Sequence, residues 1–291
     1  MSGDWHQEHE DGDHMTSLVI AINALDHHGK TTMLLTAPKP LDIFAIDPNT
    51  TEIVEGSGYD EDDVKLNLVT YPATVFSNKD QLQDEAERAW RDEFIEPLRD
   101  SIETKSVKSI GLDTATELFE LLLMADHGKT VQILPELRTK TNYKFKGLLQ
   151  ALKRSGKHIV LLHRLRDVWR SEWVETNKGR EEKREKVVGV YEREGFSKTG
   201  FHVNAEVYLR FKPERGGSLS NQFGVRLGGA TARPGLITAR SDSDKFWLDE
   251  DGWYWGKQRE SGKVRPYASI PAIGSLLYPD EKLWSLNGKE R

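Results

Sequence analysis

The chain has 291 residues, 37% hydrophobic and 30% charged, with a formal net charge of −6 and no cysteine. That length holds one large core, or a core with a small appendage, and the missing cysteines exclude disulfide scaffolds, thiolate zinc sites and thiol nucleophiles. No apolar run approaches the ~20 residues that span a bilayer and no signal-peptide core opens the sequence, so a cytosolic protein with no membrane partner is expected.

In chain order, residues 1–16 are acidic, polar and rich in histidine (His6, His9, His14) at irregular spacing, which suits a disordered tail better than a metal site. Leu18 to Ile22 reads as a buried strand that feeds a tight loop and then a helix beginning at Gly29-Lys30-Thr31-Thr32. Pro38 and Pro40 stop that helix, Leu41 to Ile46 is a second buried strand ending at Asp47, and Pro48 to Asp63, acidic and glycine-containing, is expected as a surface loop. Val64 to Tyr71 alternates as a third strand. Asn78 to Lys105 carries helical periodicity, with Asn78 as cap and an interruption at Pro97.

The next strand, Ser106 to Asp113, closes on an acid, and a helix follows through Thr116 to Leu123. A helix over Thr141 to Ser155 precedes the strand Lys157 to Leu162, which ends at His163. From Arg164 to Gly200 charge is dense and periodicity poor, as in a mobile loop or an extended hairpin. His202 to Phe211 and Gln222 to Leu227 read as strands joined at Gly216-Gly217. Near the C-terminus Phe246-Trp247-Leu248, the turn Asp249 to Gly252 and Trp253-Tyr254-Trp255 form a β-hairpin signature. Short apolar strands alternating with amphipathic helices imply an α/β fold with a mostly parallel central sheet. The expected divisions are a tail at 1–16, a core at 17–235 with a mobile basic loop at 164–200, and a small β-rich extension at 236–291.

Two segments suggest chemistry. Strand, loop and helix from Ser17 to Thr32 form the outline of a phosphate-binding P-loop, in which backbone N–H groups and a helix N-terminus face a phosphate. Ala24, Asp26, His27, His28 and Gly29 would line the loop, Lys30 would supply the cation, and Thr31 and Thr32 the hydroxyls. The pattern departs at Ala24, where the motif places its first glycine. Asp113, at a strand end, is the acid that would reach a magnesium ion together with Thr31; capping of the following helix is its structural alternative. His163, at the tip of the next strand, suits a sensor of the outer phosphate, and Asp47 or Glu52 would position water. A second Gly-Lys-Thr, Gly128 to Thr130, follows a helix instead of a strand and is read as a helix end.

The second segment is basic. Between Arg138 and Lys186 fifteen Lys/Arg stand against six Asp/Glu, a local balance of +9 that leaves −15 for the rest of the chain. Such a stretch is either a footprint for polyanions or a solvated surface.

The ordered set Ala24 to Thr31, Ile46-Asp47, Leu112-Asp113 and Leu161 to Arg164 resembles the RecA-like P-loop ATPases, and within them the phage AAA-type ATPases of single-strand annealing and recombination. The resemblance implies a RecA-like core over residues 17–235, ATP with Mg2+, self-association into a ring or filament, and single-stranded DNA as partner. It makes Lys30, Asp113, His163 and Asp47 the catalytic set, with Thr31 and Asp113 on the metal. It places DNA-contacting segments at Trp169 to Lys198, where Lys178, Arg180, Lys183, Arg184 and Lys186 would meet phosphates and Trp169 or Trp173 would stack on bases. Arg164, Arg166 or Arg233 would be the finger reaching a neighbouring subunit. Glu181, Glu182 and Glu185 interleave with the cations, and Asn49 stands where such recombinases carry a catalytic glutamate. A nucleotide-gated scaffold with little turnover and a P-loop kinase with an arginine-rich lid are the alternatives. No N-K-x-D string supports a GTPase, since Asn177 to Arg180 lacks the aspartate.

Overall fold

A computed structural model describes residues 17–73, 78–176, 179–213, 219–228, 246–248, 254–256 and 269–278. The 1–16 tail, Lys178, the Gly216-Gly217 and Asp249 to Gly252 turns and Arg233 lie outside the described residues.

The strands β1 (Val19–Ala24), β2 (Leu41–Ala45), β3 (Val64–Leu68), β4 (Ser109–Asp113), β5 (His158–Thr176), β6 (Gly179–Arg193), β7 (Ala205–Pro213), β8 (Leu219–Gly228), β9 (Phe246–Leu248) and β10 (Tyr254–Gly256) form one ten-stranded sheet. Its order is β3-β2-β4-β5-β1-β7-β8-β10-β9, with β6 paired to β5. From β3 to β7 every neighbouring pair is parallel, and beyond β7 the pairing is antiparallel. This is the expected α/β class with a mostly parallel central sheet, in which β5 lies between β1, the strand before the Gly-Lys-Thr loop, and the acid-bearing β4.

Central strands β1, β2 and β4 are buried along their whole length, which explains their unbroken apolar runs. Alternate residues feed opposite faces. Val19, Ala21, Ile110, Leu112, Ile159 and Leu161 pack under α3 (Lys79–Arg88), α4 (Glu96–Glu103), α5 (Ala115–His127) and α6 (Pro135–Arg154). Ile20, Ile22, Ile43, Val160 and Leu162 pack under α1 (Lys30–Leu34), α2 (Asn49–Glu55) and α7 (Ile270–Leu277). No helix among the described residues is long and apolar enough to cross a membrane.

Two expectations need correction. The segment Pro48 to Asp63 is not loop throughout, because α2 occupies Asn49–Glu55. Asp47 starts it: its side chain accepts from the Asn49 N–H and its carbonyl from the Thr50 N–H, while Thr50 and Val54, four apart, supply the buried face. Nor does Pro97 interrupt the helix. The chain runs from α3 through a π-helical stretch (Ala89–Ile95) straight into α4, where Pro97 falls in the first turn, the position at which a missing N–H costs least. The cap at Asn78 is as expected, a full capping box with Gln81.

The C-terminal hairpin is present, with Trp247 paired to Trp255, and it continues the central sheet through pairing of β10 with β8. Helix α7 returns to the core. The Ile270 N–H donates to Thr36 Oγ1 just beyond α1, and Ile270 and Ile273 are buried. Between Arg164 and Gly200 the chain forms the extended hairpin, β5 and β6.

Candidate functional site

The last strand residue, Ala24, opens the loop, and Gly29 turns it into α1 at φ 77°. Positive φ within the loop falls on His27 (60°) and Gly29, and Ala24 is not among the positive-φ residues. The substituted first glycine therefore carries no strain here. Lys30 is 8% exposed and folds back across the loop, its Nζ donating to the Ala24 carbonyl at 3.2 Å and the Leu25 carbonyl at 3.0 Å, with Asp26 at 3.6 Å. Burial pulls the Lys30 pKa down against the opposing charges of Asp26 and Asp113. His28 is half-buried, and burial lowers its pKa as well. Asp26, His27 and Thr32 are exposed around the loop.

Thr31 points across the sheet. Its Oγ1 donates to Asp113 Oδ2 at 2.7 Å, bridging α1 to the C-terminal end of β4, two strands from β1. The approach depends on Gly111, since a Cβ there would sit 2.6 Å from Leu34 Cδ1 of α1. Asp113 is 3% exposed. Burial pushes its carboxyl up, opposed by hydrogen bonds from Thr31 and Thr50 and by the Lys30 charge. The Thr50 contact is a hydroxyl donated at 3.0 Å from α2 to the same oxygen, Oδ2. A hydroxyl and a buried carboxylate, oxygen donors only, fit a hard divalent cation that takes its remaining ligands from phosphates and water.

Asp47 lies near enough to disfavour the charged form of Asp113. Asn49 is exposed and brings no carboxylate. A further acid within electrostatic reach of Asp113 and Asp47 is Glu117, at the start of α5. Its Oε2 accepts from Thr114 Oγ1 at 3.1 Å, its Oε1 lies 3.3 Å from Arg164 Nη1, and its pKa is raised by burial. Glu120 and Glu194 complete a ring of acids around Arg164 at 3.9 and 3.7 Å. Arg164 thus faces acids of its own chain, within electrostatic reach of Lys30 and Asp26. Arg166 pairs with Glu192 across the hairpin.

His163 is fully buried and its pKa falls well below the ordinary value, through burial first and the Arg193 charge second, so it is neutral. Its Nδ1 lies 3.4 Å from Thr116 Oγ1, and its Nε2 has no hydrogen-bond partner. Asn23, its register partner on β1, carries an unpartnered buried Oδ1. His163 extends from the face opposite Asp113: Ile159 and Leu161 share its side of β5, whereas Leu34, which packs on Gly111, belongs to the other layer.

Of the basic candidates, Lys183, Arg184 and Lys186 are exposed on β6, and Arg180 is also on that strand. They are remote in the chain from the loop and are not part of the phosphate cradle. The second Gly-Lys-Thr string is a helix end: Gly128 terminates α5 at φ 62° and Lys129 reaches the Gln132 carbonyl. Sequence reasoning missed Thr50, Glu117, Glu120 and Glu194. Only Glu117 carried a local signal, the Thr-x-x-Glu spacing from Thr114 that marks a helix start.

No family model matches the sequence, and no curated protein matches it. Among solved structures, the chain is similar to a KaiC-like protein from the hyperthermophilic archaeon Pyrococcus horikoshii OT3. The two are 12% identical with a TM-score of 0.39, over 82% of this chain and 89% of that one.

Proposed function

We propose that this is an ATP-binding, ATP-hydrolysing protein of RecA-like kind that acts on single-stranded DNA in phage-type recombination or annealing, in the cytoplasm of the host cell, and self-associates into a ring or filament. The observation that carries the nucleotide reading is the Thr31–Asp113 hydrogen bond at the exit of a loop with Lys30 at its centre. A P-loop helix joined to an acid two strands away is the pairing that magnesium and the outer phosphates require.

Thr31 and Asp113 would hold Mg2+, which supplies charge neutralisation at the phosphates. Lys30 exchanges its two loop carbonyls for phosphate oxygens. Water adds to the γ-phosphorus, the bond to the bridging oxygen of the ADP leaving group breaks, and the proton of the water passes to a carboxylate, Asp47 or Glu117. Arg164 stands beside Glu117 and balances the local acids. Neutral His163 and Asn23 join the strand before the loop to the strand before Arg164.

Asn49 favours a second reading, a nucleotide-gated scaffold that binds ATP and turns it over slowly, because its amide holds water but accepts no proton. Two measurements test the pair. Lys30→Ala should abolish ATP binding while the circular dichroism spectrum is kept, and unchanged affinity refutes the nucleotide assignment. ATP turnover measured with and without single-stranded DNA separates the readings: stimulation supports the first, and slow, DNA-indifferent turnover the second.

A further inference from the structure

Among the described residues, three buried side-chain atoms without a hydrogen-bond partner come together on the α5 side of the sheet: Asn23 Oδ1, His163 Nε2 and Arg193 Nε. Asn23 and His163 are register partners on the parallel pair β1–β5, and both are 0% exposed. Asn23 shares its face of β1 with Val19 and Ala21, and His163 shares its face of β5 with Ile159 and Leu161, so the two side chains stand side by side in one layer. Arg193 reaches the same place from β6. It opposes Leu165 on β5, and opposed residues in a ladder share a face, which is also the face of His163 two residues earlier. Its Nη1 pairs with Glu206 Oε1, and Glu206 is the register partner of Ala21 on β7. With the strands in the order β5-β1-β7, the Arg193 side chain, 12% exposed, crosses β1 above the seam between His163 and Asn23, and the short side chain of Ala21 leaves it room.

The hydrogens of this cluster can be placed one by one. Thr116 Oγ1 accepts the Arg164 N–H at 3.2 Å and lies 3.3 Å from the Glu194 carbonyl and 3.4 Å from His163 Nδ1. The carbonyl can only accept, so it takes the single Thr116 hydrogen, and His163 donates from Nδ1 to Thr116 Oγ1. Burial and the Arg193 charge keep His163 neutral. A neutral imidazole has one N–H, so Nε2 is an acceptor. Asn23 is oriented from its other end, where Nδ2 donates to the Val207 carbonyl at 3.5 Å. Two acceptors, Asn23 Oδ1 and His163 Nε2, therefore stand side by side, and neither holds a hydrogen for the other. Arg193 is oriented by Glu206 and by the Ser197 carbonyl, 3.0 Å from Nη2, and keeps its Nε–H as a donor.

We infer that this seam is a binding site for one internal water molecule, which donates to Asn23 Oδ1 and His163 Nε2 and accepts from Arg193 Nε–H. About three hydrogen bonds are the usual complement of a buried water, and each of these atoms would otherwise lose its hydration without replacement. The competing occupants fail on chemistry. An ammonium ion donates to both acceptors but has no lone pair for the Nε–H, a metal cation meets the guanidinium charge, and an anion has no hydrogens for the two acceptors. In this role His163 acts through the water as a positioning residue, in place of the phosphate sensor its strand-end position suggested. The water ties β5, immediately before Arg164, to β1, immediately before Ala24, and Arg193 adds the returning strand β6.

The test uses the full-length, nucleotide-free protein, so its result is independent of the nucleotide reading. A crystal structure that resolves solvent should show a density peak about 2.7–3.2 Å from all three atoms. Nitrogen-15 spectra of histidine-labelled protein should report the Nδ1–H tautomer for His163, its resonances assigned by their loss in His163→Gln. Asn23→Leu keeps the volume of the side chain and removes the acceptor; oxygen-17 relaxation dispersion should count one long-lived water fewer in it than in the unmodified protein. If Asn23→Leu does not fold, the density and the tautomer of the unmodified protein decide the matter. An Nε2–H tautomer donating directly to Asn23 Oδ1, a peak at the metal–oxygen distance of about 2.4 Å, or no solvent peak at the seam overturns the site, as does an unchanged count of long-lived waters in a folded Asn23→Leu protein.

Discussion

Thr50→Val removes a hydroxyl from a site with almost no solvent and nearly preserves shape. Thr50 is 1% exposed, and its hydroxyl is one of two that meet Asp113 Oδ2, at 3.0 Å beside the 2.7 Å bond from Thr31. A hydrogen bond to an ionised acceptor contributes about 1.5–3 kcal/mol and one to a neutral acceptor about 0.5–1.5. Burial drives Asp113 toward its neutral form and the two hydroxyls oppose it, so the loss should lie between about 1 and 3 kcal/mol in nucleotide-free protein. The effect on binding should be larger than that of an ordinary second-layer change. If Thr31 held a bound Mg2+ as proposed, Thr50 would be the hydroxyl left to hold the Asp113 carboxylate, and each 1.4 kcal/mol is about tenfold in Mg2+-dependent ATP affinity. Urea unfolding gives the first quantity; titration with a fluorescent ATP analogue, with Mg2+ and with chelator, gives the second. Thr50→Ser, which keeps the donor, should recover most of both. A stability change below about 0.5 kcal/mol together with affinity within about twofold of wild type would refute the role assigned to Thr50.

Gly111→Ala should destabilise by about 1–3 kcal/mol and weaken ATP binding, because its Cβ meets Leu34 at 2.6 Å in a fully buried layer and must displace α1; unfolding curves and nucleotide titration read both effects. His158 accepts the Leu18 N–H at Nδ1, and burial, with the Lys108 charge, lowers its pKa to about 4. The unfolded chain binds that proton near pH 6.5, so this contribution is intact above pH 6.5 and falls by up to about 3 kcal/mol toward pH 4; urea midpoints against pH should show the loss, and His158→Gln should flatten it. Asn49→Glu should raise ATP turnover by about 100-fold, the lower end of general-base contributions, at unchanged ATP affinity; phosphate release that stays at the wild-type rate places the attacking water away from position 49.

Legibility in the sequence followed locality. The β1-loop-α1 unit and the acid closing β4 are each contained within a few residues, and an apolar run ending in a polar residue announces both. The Thr50–Asp113 bond joins residues 63 apart, and no periodicity reports such a contact. Helix α2 was hidden because its start depends on the Asp47 side chain and carbonyl inside an acidic stretch. Helix α6 begins at Pro135, six residues before the apolar pattern, because residues 135–140 are exposed and carry no burial signal. The hairpin showed no strand period for a related reason: where its burial is described, as at residues 183–186, its side chains are exposed, so no apolar alternation marks the strand. At Ala24 the sequence motif suggested a cost that the backbone does not incur, since the left-handed positions are His27 and Gly29.

Thr116 explains how the proposed nucleotide site and the hairpin are joined. It lies three residues after Asp113, in the first turn of α5, and it touches both hairpin strands at their root. The Arg164 N–H donates to its Oγ1 at 3.2 Å, and its hydroxyl lies within reach of the Glu194 carbonyl at 3.3 Å and His163 Nδ1 at 3.4 Å, donating to one of them. Gly195, at φ 87°, lets β6 pass this close; a Cβ there would sit 3.1 Å from the Thr116 Cα. Glu117, the next residue, faces Arg164 and feels the charges of Asp47 and Asp113. The first turn of α5 is therefore shared: Glu117 on it feels the acids Asp47 and Asp113, and Thr116 meets the chain where β5 leaves the sheet and where β6 returns. Under the function proposed above, a nucleotide that displaced this turn would act on both strands of the hairpin at once, and a ligand on the hairpin would act back on that site with the same coupling free energy.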